Sequence, residues 1–61
     1  MIFHVLVSRS DLMATGKSEP VARYLMDVES PAHAILDGTE RFSWSNPDKN
    51  LNDYCVQAFG T

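Results

Sequence analysis

The chain has one cysteine, Cys55, and only three glycines and three prolines in 61 residues. A single thiol cannot form an internal disulfide, so the support on which small secreted domains depend is absent and a reducing compartment is implied. Basic residues are also scarce. Five lysines and arginines against eight carboxylates leave a net charge of −3, which argues against a non-specific nucleic-acid binder, because phosphate contacts need a basic surface. No long hydrophobic run is present. Ile2 to Val7, the most apolar stretch, is too short to span a membrane, has no basic segment before it and no small-residue cleavage site after it, and reads as neither a signal peptide nor a membrane helix. These absences point to a cytoplasmic protein. No internal repeat, linker or low-complexity segment divides the chain, and residues 1–61 read as a single small domain near the lower limit for folding alone.

Chemistry-bearing motifs are missing or incomplete. Thr15-Gly16-Lys17-Ser18 resembles the end of a phosphate-binding loop, whose backbone N–H groups cradle phosphates while the lysine reaches the terminal ones. The first glycine of that pattern would fall on Asp11, a carboxylate where an anion should approach, and Pro20 removes an early N–H. The bland reading is a turn glycine, a surface lysine and a capping serine. His4, His33 and Cys55 are ligand-competent types, but none sits at a local ligand spacing such as C-x-x-C or H-x-x-x-H. A mid-strand cysteine is normally an inert small hydrophobe. Paired carboxylates that would single out an acid–base enzyme are not evident. The expectation is therefore no cofactor, no metal and no catalytic residue.

What is present is periodicity. Val21, Tyr24, Leu25, Val28, Ala32, Ile35 and Leu36 fall within about 120° of arc at helical spacing. The pattern predicts a helix over 19–29, opened by Ser18-Glu19-Pro20, and a second over 31–37, with Ser30 as cap and Pro31 at the first position; one continuous kinked helix is the alternative. Gly38 would end it. Ile2 to Val7 reads as a strand rich in β-branched and aromatic residues, with Phe3, Val5 and Val7 on one face and Ile2, His4 and Leu6 on the other. Residues 8–17 read as a polar loop, with Leu12 and Met13 tucked against the core. Arg41 to Ser45 alternates strictly, placing Phe42 and Trp44 inward on a second strand. Asn46 to Asn50 supplies turn chemistry. Tyr54 to Phe59 forms a third strand, with Tyr54, Val56 and Ala58 on one face and Cys55, Gln57 and Phe59 on the other.

The predicted fold is thus α+β: a small two-layer sandwich with a three-stranded antiparallel sheet in the spatial order 1-3-2 and a kinked or broken helix on one face. The expected core is Phe3, Val5, Val7, Phe42, Trp44, Tyr54, Val56 and the helical stripe.

Elimination leaves binding to a larger protein as the expected function: a small stand-alone module that modulates or inhibits its partner, of the kind found among phage and mobile-element accessory proteins. Two surfaces would serve. Strand 1, at an edge in the order 1-3-2, carries no proline and no charge between Ile2 and Val7. The outer sheet face is the other, and the partner-binding residues expected across these surfaces are Ile2, His4, Leu6 and Phe59. Either surface could make a homodimer. The alternative is an acidic mimic that blocks a nucleic-acid-binding protein, which requires the dispersed carboxylates to be gathered by the fold; direct nucleic-acid contact would rest on a small basic spot at Arg9 and Lys17. Neither membrane nor direct nucleic acid is an expected partner.

Overall fold

A computed structural model describes residues 1–16 and 19–60. Strand β1 (Ile2–Arg9) leads into a single-turn helix α1 (Ser10–Met13), strand β2 (Ala22–Asp27), helix α2 (Pro31–Ser45), a 3₁₀ turn (Leu51–Asp53) and strand β3 (Tyr54–Gly60). The sheet is three-stranded and antiparallel, in the order β2-β1-β3, with α2 on one face. The α+β class and the single helical layer are as the sequence predicts. The strands that compose the sheet differ, and the N-terminal strand lies at its centre where the order 1-3-2 expects the C-terminal one.

The first correction falls on residues 19–29, where a helix was expected and the structure has the strand Ala22–Asp27 between irregular flanks. The apolar residues there satisfy two periods at once. Read in alternation, Ala22, Tyr24, Met26 and Val28 share one face, and within β2 only Leu25 breaks the polar character of the other. β1 supplies the deciding context, pairing Phe3 with Met26 and Val5 with Tyr24 along a full ladder. A backbone already flanked by Pro20 and by Ser30-Pro31 has room for a strand of six residues but for only a short helix, whose nucleation is costly.

The second correction is the segment 41–45, which continues α2 and is not a strand. Ser30 caps the helix, its Oγ accepting from the His33 N–H at 3.2 Å, and Pro31 occupies the first helical position. Gly38 does not end the helix. It is buried at the middle, where α2 crosses the sheet, and a Cβ there would meet Val5 Cγ1 at 2.5 Å. The residue permits close approach of helix to strand. Ala34, Gly38 and Phe42, at successive four-residue steps, form the buried seam of α2. Phe42 packs against Tyr54 with ring centroids 4.8 Å apart. The helix stops at Asn46, whose backbone N–H donates to the Phe42 and Ser43 carbonyls and whose side chain donates to the Phe42 carbonyl at 3.0 Å, just before Pro47.

The core consists of Phe3, Val5, Val7, Met26, Ala34 and Phe42, with Tyr24, Val28, Val56 and Ala58 half-buried around it. Trp44 was expected inside and is 91% exposed. On a helix it lies about 200° from Phe42, on the far side of the axis from the seam. Ile35 and Leu36 are likewise exposed, because the helical seam runs through Ala34 and Gly38 instead. Leu12 and Met13 belong to α1, and Leu12 is exposed.

Candidate interaction surface

Alternation along the three strands builds the uncovered face of the sheet as a small lattice. His4 lies at its centre, opposite Leu25 on β2 and Phe59 on β3. In the next row Leu6 lies opposite Arg23 and Gln57, and beyond His4 in the other direction Ile2 lies opposite Asp27. α2 occupies the other face, so these side chains meet solvent: Leu25 is 60%, Phe59 50% and Ile2 43% exposed, with His4 exposed and Leu6 half-buried. At the α1 end Ser8 is buried and its cross-strand neighbour Cys55 half-buried.

The four residues expected to bind a partner, Ile2, His4, Leu6 and Phe59, are therefore brought together on one surface. The route differs from the expected one in one respect. β1 is bonded on both sides and offers no free edge, so the expectation of an edge at strand 1 is corrected and only the face remains. The sequence did not single out Leu25, which belongs to this surface. The signal for it was the break in the alternation of 22–28, an apolar residue between Arg23 and Asp27.

The edge and inner side of β2, together with α2, enclose a shallow groove of about 600 Å³. Its helical wall is the stripe Asp37, Glu40, Arg41 and Trp44. A smaller hollow at the opposite end lies between the Arg9–Asp11 ion pair and Asp53. Asp27 accepts from the N-terminal ammonium at 3.1 Å, both groups being exposed.

The ligand-competent residues are placed apart. His4 and Cys55 share the outer face, but Cys55 is paired with Ser8, four positions along β1 and roughly 13 Å away. His33 is in the first turn of α2, on the other side of the sheet. Among the described residues no three of His, Cys, Asp and Glu gather at metal-binding spacing. The phosphate-loop resemblance falls partly on Lys17 and Ser18, which lie outside the described residues. Thr15 and Gly16 form a turn in which Gly16 takes a left-handed φ of 71°, and the next element is β2, where a phosphate-binding loop requires a helix. No helix among the described residues is long and apolar enough to cross a membrane. Compared with known protein families, curated proteins and solved structures, the chain matches none.

Proposed function

We propose that the chain is a small cytoplasmic protein-binding module that modulates or inhibits a larger protein, docking through the outer face of its sheet. One observation carries this reading: the row Leu25, His4, Phe59, with Ile2 and Leu6 beside it, is an apolar patch on a rigid strand lattice that no element of the described chain covers. Contiguous apolar surface on a small domain favours a partner of matching character, with the aromatic ring as anchor. His4 in the middle gives the patch one polar group with which to orient that partner. Its companion is a protein surface of apolar residues with a hydrogen-bonding group at the centre. The half-buried Cys55 without an internal partner suits a reducing compartment.

The competing reading, an acidic mimic that blocks a nucleic-acid-binding protein, has one supporting observation: Asp27, Asp37 and Glu40 line the same groove. Photo-crosslinking from position 59 and from position 40 in the native cell separates the two. The outer-face reading expects a specific adduct from position 59 that is lost with Leu6→Lys and persists at high salt. An adduct from position 40 alone, dissolved by salt, would replace that reading with charge mimicry.

A further inference from the structure

The two edges of the sheet, β2 and β3, differ in what they offer another strand. In the β1–β2 ladder the Val28 N–H donates to the Met1 carbonyl at 2.9 Å, one step beyond the Ile2–Asp27 pair. Bonded and non-bonded pairs alternate in an antiparallel ladder, so Tyr24 and Met26 direct their backbone groups at β1 while Arg23, Leu25 and Asp27 turn theirs outward. Those three outward residues read cation, leucine, anion.

We propose that β2 pairs with β2 of a second copy of this chain, antiparallel about a two-fold axis through Leu25. In that register Leu25 faces its own counterpart, and Arg23 of each copy faces Asp27 of the other on the outer face. Backbone parity and charge agree: every residue in the three crossings is one whose N–H and C=O point outward. Moving the axis to Tyr24 sets Arg23 against Leu25 and Asp27 against Val21, and moving it to Met26 sets Asp27 against Leu25 and leaves Arg23 to face Glu29, beyond the end of the strand; only the axis at Leu25 matches Arg23 and Asp27 within β2. The other edge has no equivalent. Between Tyr54 and Gly60 there is no charged side chain, so nothing on β3 fixes a register.

The helical side of the molecule fits the same partner. α2 packs mainly on β1 and β3, which leaves the groove open above the inner side of β2. With strands about 4.8 Å apart, the two β1 strands of the pair lie about 14 Å apart. The helices above them are therefore beyond the 8–10 Å of direct helix packing. The gap is bordered by the Asp37, Glu40, Arg41 and Trp44 stripe of each copy. Trp44, the most exposed large apolar residue of the described chain, gains cover there, and the stripe carries both signs of charge. The result is a continuous six-stranded sheet with a helix from each copy on one side and the outer faces joined on the other. This inference stands apart from the outer-face reading, since edge pairing leaves Phe59 and His4 uncovered.

Sedimentation equilibrium of the full chain, over concentrations up to about 1 mM and at two salt strengths, tests it. The wild type is expected to be a dimer that weakens with salt. Arg23→Asp and Asp27→Arg, each at an exposed position, are each expected to weaken self-association by on the order of tenfold or more, because each converts two attractive crossings into repulsive ones. An equimolar mixture of the two variants is expected to regain a dimer, as is the chain carrying both substitutions, because opposite charges then meet again at both crossings. A wild type that stays monomeric, a dimer indifferent to both single reversals, or a mixture no tighter than its components would each overturn the proposal.

Discussion

On the α2 side of the sheet Phe3, Val5, Val7 and Met26 are buried; one residue along the same strands, Ile2, His4 and Leu25 stand in solvent. Hydrophobicity does not separate the two sets, since isoleucine and leucine are at least as apolar as the valines opposite. The supply of cover does. A chain of this length builds one helix of 15 residues, enough for one face of a three-stranded sheet, and the pleat assigns alternate residues to whichever face they meet. The inner face therefore carries the stability and leaves the outer face free to be recruited for contact. Substitutions should divide the same way.

The largest effect is expected on the inner face. Phe3→Ala removes a buried ring next to Val5, Met26 and Ala34 and should cost about 3–5 kcal/mol, comparable to the whole stability of so small a core. The variant should be unfolded by near-ultraviolet circular dichroism at room temperature, and a cooperative melt close to that of the wild type would show that the inner face is not the core. Gly38→Ala probes the tightest helix–strand contact. Overpacking against Val5 costs about 1–3 kcal/mol, offset by about 1 kcal/mol of improved helix propensity, so a net loss is expected in urea titration. A gain would mean that α2 can lift from β1 without penalty. Ser30→Ala removes the side-chain acceptor for the His33 N–H and should cost about 1 kcal/mol. Hydrogen exchange should speed up in the first turn of α2 while Tyr24 and Met26, whose amides are bonded to β1, change little.

Where the sequence could be read, one physical signal dominated; where it misled, two competed. β1 and β3 were legible because alternation, β-branched content and polar flanks agree, and the faces of both strands follow. The start of α2 was legible because Ser30 and Pro31 form a cap and a first turn that few other structures use. Residues 21–28 satisfied a helical and an alternating pattern together, and such short apolar runs are decided by their neighbours. Here the neighbour is β1, which pairs with β2 along one side and with β3 along the other. Phe42 and Trp44 look like an inward pair on a strand, yet they are nearly opposite each other on a helix, and the burial of Gly38 beneath Val5 was needed to show which applies. Glycine at position 38 carried the misleading signal of a helix end because sequence alone does not distinguish conformational freedom from want of a side chain. The placement of the four candidate residues on one face is independent of these differences. Ile2, His4, Leu6 and Phe59 depend only on the pleat of β1 and β3 and on their pairing, which juxtaposes His4 with Phe59, and not on what lies at the edges.

The smallest effect on stability, and the sharpest contrast with Phe3, is expected from Phe59→Thr. Both phenylalanines belong to strands of one sheet, but Phe59 is 50% exposed where Phe3 is 2%. Threonine keeps the β-branched preference of the strand, and the ring gives up only the part of its surface that the sheet already covers, so the loss should be about 0.5–1 kcal/mol. Partner affinity should fall much further. An aromatic anchor in the middle of an interface is worth about 2 kcal/mol or more, a loss of roughly thirtyfold. Calorimetric titration against the partner identified by crosslinking gives the affinity, and chemical denaturation of the same preparation gives the stability. Because Phe59 lies on β3, away from the Arg23–Asp27 crossings on β2, the variant should keep the self-association of the wild type. Undiminished partner affinity, with the fold intact, would remove the outer face from the proposal and leave the uncovered apolar row as tolerated surface.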